Sequence, residues 1–248
     1  MFESLRERRI TVGRFSTTLP EEGLSVFIGL YNAEPYLQSL FLQLQSQTVS
    51  LPLVVVDNQS TDNTWQLIQA WGEVFRGRIL LVRNAVNLGG TGTLLTNLDL
   101  IPSRWVATMH QDDFYKATHL QTLQSAVATA KDHDIAFATD MGSMDSRGNR
   151  TTVPPRASWF LPDSSRATLF LSNLRLHNFP FPSAALRVDA LSDARVPWHS
   201  TVFPDTELVL NWSLRGDLVH LPSETMLYRE NPASESHSVV DMERQIGT

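Results

Sequence analysis

Five strand-length segments of this chain are apolar on both faces. They are LSVFIGLY (24–31), LPLVVVD (51–57), RILLV (78–82), RWVATM (104–109) and DIAFATD (134–140). A strand with one face in water alternates apolar and polar residues. These segments do not, so something must cover each face. The intervening stretches supply the cover. Leu37, Leu40, Phe41 and Leu44 recur at helical spacing between Glu34 and Gln47. Trp65, Ile68 and Trp71 do so after the capping candidates Ser60 and Thr61, and 92–101 and 117–130 read as further helices. The pattern predicts an α/β fold, with a mostly parallel central sheet and helices on both faces. Sheets of this kind bind ligands beyond the carboxyl ends of their strands.

After residue 141 the alternation weakens. MDSRGNR reads as a turn between short strands, 165–174 as a short helix, PSAALRV (182–188) as a strand and 205–215 as a helix. LVHLP and TMLYRE read as two short strands. The length, 248 residues with 42% hydrophobic, suits one large domain or two small ones. No linker separates the halves. We therefore expect an irregular amino-terminal arm (1–23) and one domain (24–248), whose second half (142–248) closes over the first (24–141).

The remaining composition narrows the setting. There is no cysteine, hence no disulfide and no thiolate metal site. No apolar run approaches the ~20 residues needed to span a bilayer. The start, MFESLRERRI, has no apolar signal core. A cytoplasmic location is expected, with peripheral contact at the inner membrane face as the extension of that reading. The net charge of −6 argues against a nucleic-acid partner. Lys116 and Lys131 are the only lysines, and arginine suits bidentate phosphate contacts. The cluster Arg6, Arg8, Arg9 is either a solvated arm or a contact for an acidic surface.

Four polar features fall at predicted strand ends: Tyr31-Asn32, Asp57-Asn58, Asn87-Leu88-Gly89-Gly90 and Asp112-Asp113. Adjacent carboxylates at the end of a buried strand repel. Either they form a solvated turn that caps the next helix, or a cation sits with them. Gly89 and Gly90 permit positive φ or close ligand approach, and an ordinary tight turn explains them equally. No GxGxxG and no Walker lysine is present. The histidines show no ligand-pair spacing, so no zinc site is expected.

Taken in order, six segments resemble the nucleotide-sugar-dependent glycosyltransferases of family 2, which have the GT-A fold. They are SVFIGLYNAEPYLQSLFLQLQSQT, LVVVDNQSTDNT, NLGGTGTLLTNL, HQDDFY, FPDTELVLNW and YRENPASES, within Leu24 to Ser236. The resemblance implies a Rossmann-like sheet and a metal-dependent, inverting transfer of a hexosyl or deoxyhexosyl unit. The donor would be a nucleoside diphosphate sugar, uridine or thymidine ahead of guanosine. The acceptor would be a hydroxyl of a glycan, lipid-linked or small-molecule substrate, in surface polysaccharide or natural-product glycoside synthesis.

By the same resemblance, Asp113 holds Mn²⁺ or Mg²⁺, and Asp112 meets the ribose or the metal. Tyr31, Asp57, Asn58, Gly89 and Gly90 line the nucleotide, Arg229 meets the diphosphate, and Asp205 is the catalytic base with Glu207 ranked second. Asn97 matches a polar position of the following helix, or else faces solvent. Such a cation acts as a Lewis acid on the leaving diphosphate. The chain departs from the family pattern at Asn58, Pro204 and Asn231, where relatives carry an aspartate, an acidic residue and a histidine; His237 could stand in for the last. A catalytically degenerate nucleotide-binding or complex-forming relative is the first alternative. A sugar nucleotidyltransferase is the second, but it would carry a basic glycine-rich signature where GLYNAEPY stands. Oligomeric state stays open.

Overall fold

The computed structural model describes residues 2–13, 15, 23–151, 179–192 and 204–230. One nine-stranded sheet organises them. In chain order its strands are β1 (Ile10–Gly13), β2 (Leu24–Leu30), β3 (Leu53–Asp57), β4 (Ile79–Arg83), β5 (Trp105–Met109), β6 (Phe114–Tyr115), β7 (Asp134–Met144), β8 (Ala184–Arg187) and β9 (Asp217–Arg229). Their spatial order is β1-β4-β3-β2-β5-β8-β7-β9-β6. Strands β2, β3, β4 and β5 pair in parallel; β1 and β8 flank them antiparallel. Beyond β8, β7 and β9 run parallel to each other, and β6 pairs antiparallel on β9. Six of the nine strands thus point one way, as the double-sided apolar segments require.

Alternate residues of each strand feed two cores. Val26, Ile28, Leu53, Val55, Ile79, Leu81 and Trp105 pack on one face. Helices α2 (Leu37–Ser46), α3 (Thr64–Gln69), α4 (Trp71–Val74) and α6 (His119–Val127) lie on the side of that core; α1 (Phe2–Arg6) precedes β1. Phe27, Val54, Val56, Leu80, Val82 and Val106 pack on the other. There they meet α5 (Gly89–Thr96), α7 (Val188–Ser192) and α8 (Pro204–Ser213), through Leu94, Leu191, Leu208 and Trp212.

Two local expectations change. The segment 2–13, read as an irregular arm, forms α1 and an edge strand on β4. Its Arg6 and Arg9 pair with Asp99 at 3.2 and 2.6 Å, so they grip the fold rather than project from it. The two expected carboxyl-terminal strands are one strand, β9, bent by register shifts opposite Thr139 to Met141. Pro222 has no N–H for the ladder and sits in that bend. The turn in MDSRGNR is present: Gly148 has φ +86°, and Asp145 accepts the Gly148 N–H at 3.0 Å. The short helix expected at 165–174 lies outside the described residues.

Candidate active site

The chain order of the parallel strands reverses between β2 and β5, and the crevice above such a switch point is where these sheets hold ligands. Tyr31 stands there with 43% of its surface exposed. Gln111 spans the gap: its Oε1 accepts the Tyr31 N–H at 2.9 Å, and its Nε2 donates to the Tyr31 carbonyl at 3.1 Å. The backbone is strained beside this tie. Asn32 and Gln59, just past β2 and β3, have φ of +46° and +62°. Their turns are laced together. Asn32 N–H donates to Ser60 Oγ at 2.9 Å, and Asn32 Oδ1 accepts the Thr61 N–H at 2.9 Å. Ser60 and Thr61 therefore shape the crevice wall; neither caps α3, which starts at Thr64 after Asn63.

Asp57 ends β3 fully buried. Its Oδ1 accepts the Ser60 N–H at 3.1 Å. Its Oδ2 faces Arg83 Nε at 3.2 Å, an ion pair without hydrogen-bond geometry. Arg83 also donates to the Ser60 carbonyl at 3.0 Å. The last residue of β4 thus fixes a carboxylate that the sequence reading left without a partner. Asn58 is buried as well, and it is bonded to Asn84, Asn87 and Leu88. Gly89 has φ +68° and opens α5, and a Cβ placed on Gly89 or Gly90 would meet nothing within 4 Å. Helix α5 therefore starts three residues earlier than its apolar spacing suggested. Asn97, the residue that ends that helix, is fully buried rather than solvated.

The two carboxylates differ in environment. Asp112 is half-buried, and its carbonyl accepts Arg229 Nε at 2.6 Å. Asp113 is 3% exposed; its Oδ1 accepts the Arg229 N–H at 2.9 Å, and its Oδ2 is buried with no hydrogen-bond partner. His110 Nδ1 lies 4.0 Å from that oxygen. Burial pushes the Asp113 carboxyl well above the ordinary carboxylate range; the Arg229 N–H opposes this, and the Asp112 charge adds to it. Burial likewise raises the Tyr115 phenol, helped by the Asp113 charge. Tyr115 Oη accepts the His110 N–H at 2.7 Å and steadies the turn from below.

An orphaned carboxylate oxygen beside a second, accessible carboxylate fits a hard divalent cation, which prefers such oxygens. A different group, His133, Asp134 and Asp217, also places three donor atoms within 4.8 Å of one another. It lies at the amino ends of β7 and β9, the opposite end of the strands from the switch-point crevice.

Arg229 closes the site from β9. Its Nη1 donates to the Ser146 carbonyl at 3.1 Å and reaches that of Asp145 at 3.4 Å. Among the described residues its Nη2 makes no hydrogen bond. Asp205 stands in the first turn of α8, whose Leu208, Val209 and Trp212 are buried. The Asp205 side chain, Asn231 and His237 lie outside what the structure describes. Sequence reasoning missed Arg83, Asn84 and Gln111, and placed Asn87 in the polar turn without its partners. The signal for Arg83 and Asn84, a polar RNxxN run directly after an apolar strand, was present but not assigned.

The sequence profile of glycosyl transferase family 2 matches residues 25–195. The chain belongs to this family. The family 2 chain is 28% identical over 112 residues to the abequosyltransferase RfbV of Salmonella typhimurium, covering 44% of itself and 34% of that protein. It is 25% identical over 111 residues to WfaP of Escherichia coli, a UDP-Glc:alpha-D-GlcNAc-diphosphoundecaprenol beta-1,3-glucosyltransferase, covering 44% and 43%. It thus spans less than half the length of these curated relatives. The fold is similar to S. aureus TarS 1-349 in complex with UDP, at TM-score 0.65 and 19% identity, over 85% of this chain and 61% of that one. It is also similar to the mannosyltransferase PcManGT of Pyrobaculum calidifontis in complex with GDP-Man and Mn2+, at TM-score 0.63 and 16% identity, over 96% and 67%. The architecture is that of a GT-A glycosyltransferase.

Proposed function

We propose that this chain transfers a hexosyl or deoxyhexosyl unit from a nucleoside diphosphate sugar to an acceptor hydroxyl, with inversion and with a divalent metal. The observation that carries the reading is the buried, unpartnered Asp113 Oδ2 beside Asp112, in the turn that follows β5 at the switch point. Asp113 and Asp112 would hold Mn²⁺ or Mg²⁺, which when bound offsets the charge of the leaving diphosphate. The rest is work for the chain. Tyr31 offers an exposed ring for stacking on the base. Asp57, fully buried and held by Arg83, anchors the Ser60 turn beside the base. Gly89 and Gly90 leave room for close passage. Arg229 directs Nη2 at the diphosphate. Asp205 takes the acceptor proton as the hydroxyl attacks.

Uridine or thymidine diphosphate is favoured as the donor nucleotide. The name of WfaP supports a lipid-linked glycan acceptor, in the manner of the diphosphoundecaprenol-linked substrate it prints, within surface polysaccharide synthesis. Residues 24–248 are proposed as one domain, with 24–141 on the donor side and 142–248 on the acceptor side. Among the described residues no helix is long and apolar enough to cross a membrane.

The test is a thermal-shift panel of UDP, dTDP, GDP and CDP, with and without Mn²⁺. A ligand bound only by the folded chain adds about 2.7 kcal/mol at a hundred times its Kd. One nucleotide should shift the transition, and only with the metal. No shift from well-folded protein would overturn the donor site. With the donor identified, Asp205→Asn should abolish turnover and spare that shift; unchanged turnover would remove Asp205 as the base.

A further inference from the structure

Asn58 occupies a strand-end position in the proposed donor crevice, yet its side chain is spent inside the protein. A primary amide has two N–H groups and an oxygen with two lone pairs. Asn58 Nδ2 donates to Asn87 Oδ1 at 2.6 Å and reaches the Gly89 carbonyl at 3.5 Å. Asn58 Oδ1 accepts Asn84 Nδ2 at 3.0 Å and the Leu88 N–H at 3.0 Å. The side chain has nothing left to offer a base edge, and the residue is 4% exposed.

We propose that Asn58 is a positioning residue: its amide holds the Asn87–Gly90 turn in the shape that admits the nucleotide. The proposal rests on the donor-site reading given above.

The turn needs holding. Gly89 is in the left-handed region at φ +68°, and its N–H donates to Asn87 Oδ1 at 2.9 Å. Gln59 adds a second tie, accepting the Asn87 N–H at 3.1 Å and donating to the Ala85 carbonyl at 2.8 Å. The far side of the turn is open, since neither Gly89 nor Gly90 has an atom within 4 Å of a built Cβ. One side of the turn is therefore bonded throughout and the other is free for a ligand.

The hold extends away from the site. Asn84 Oδ1 accepts Asn97 Nδ2 at 3.2 Å, and Asn97 Nδ2 also donates to the Thr93 carbonyl at 2.9 Å. Asn97 Oδ1 accepts Arg9 Nη1 at 3.4 Å, and Arg9 is bidentate on Asp99 at 3.0 and 2.6 Å. Backbone groups at the two ends set the polarity of this run. The Leu88 N–H requires an oxygen from Asn58, and the Thr93 carbonyl requires an N–H from Asn97. Asn84 then fits between them in one orientation. The run links the turn to the amino-terminal segment.

A carboxylate at position 58 has the shape of the amide but only accepts. It would face Asn87 Oδ1 and the Gly89 carbonyl, oxygen against oxygen, and push the turn outward. The departure at Asn58 is thus accounted for as a structural choice and gives no support to a degenerate site.

The experiment compares Asn58→Asp with Asn87→Ala, whose side chain is exposed and whose loss leaves the core untouched. Amide hydrogen exchange is followed over residues 86–92 without ligand. Binding is then measured for UDP, dTDP, GDP and CDP with Mn²⁺. Both variants should exchange at least tenfold faster over 86–92, with 113–115 unchanged. Both should bind the nucleotide that wild type selects at least tenfold more weakly. Unchanged exchange in Asn87→Ala overturns the brace, even where wild type binds no nucleotide and the donor-site reading has failed by itself. Faster exchange with unchanged affinity overturns the positioning role.

Discussion

Gly90 sits exposed in the first turn of α5, without a positive φ, and a methyl group there meets nothing of the protein. Alanine is the better helix former by about 0.8–1.0 kcal/mol. Gly90→Ala should therefore leave the urea midpoint unchanged or raise it. If the nucleotide passes this turn, the same methyl should weaken UDP or dTDP binding in a titration; equal affinity would move the nucleotide elsewhere.

His119 offers a second test at this scale. It is fully buried, with Nδ1 bonded to Thr225 Oγ1 at 2.7 Å and Nε2 without a hydrogen-bond partner. Burial lowers its pKa from 6.5 to about 3. The unfolded chain is protonated first as pH falls. Stability is therefore fully present above pH 6.5 and is lost as pH drops toward 3, by up to about 1.4 kcal/mol per pH unit. In His119→Asn, the slope of urea-determined stability between about pH 6 and 4.5 should flatten, whatever the absolute cost of the substitution. A slope equal to wild type would assign the acid sensitivity to other groups.

Among the elements, β9 does the most to assemble the site. Its last residue reaches the carboxylate turn and the 145–148 turn together. Arg229→Met keeps the aliphatic stem and the backbone bond to Asp113, but removes the donors to Asp112, Asp145 and Ser146. The side chain is half-buried and water can replace part of what is lost. We expect a cost of about 1–3 kcal/mol in urea denaturation, with faster exchange in β6. A midpoint within error of wild type would show that β9 is placed by its ladder alone. Further along the same strand, Glu224 accepts Lys116 Nζ at 3.0 Å and Arg150 at 2.9 and 2.6 Å. Burial raises that carboxyl, but the bonds from Arg150 and Lys116 outweigh it and hold it below its ordinary range. The bend of β9 is thus pinned to the segments on either side of it.

Over the whole molecule, the halves share both cores. Ala185 and Met226 join residues from β2 to α6 on one face, and Leu208, Trp212 and Leu218 join Phe27, Val54 and Leu94 on the other. Neither half can keep its apolar surface covered alone. Calorimetry should therefore show one transition, with calorimetric and van't Hoff enthalpies in agreement. Two resolved peaks would divide the chain into separate units.

The sequence by itself determined the layering of this protein and the place of its acidic strand ends. Both are local properties. An apolar segment such as LVVVD states that both its faces are covered, and Asp57 or Asp112-Asp113 at its end states where polarity resumes. The tertiary structure alone decided what those ends touch. Arg229 meets Asp113 across 116 residues of chain, Asn58 meets Asn87 across 29, and Arg9 reaches Asn97 across 88. It also turned a presumed arm into an edge strand and two presumed strands into one. No periodicity carries such pairings, because a hydrogen bond between distant residues depends on the path of the whole backbone and leaves no repeat in either segment.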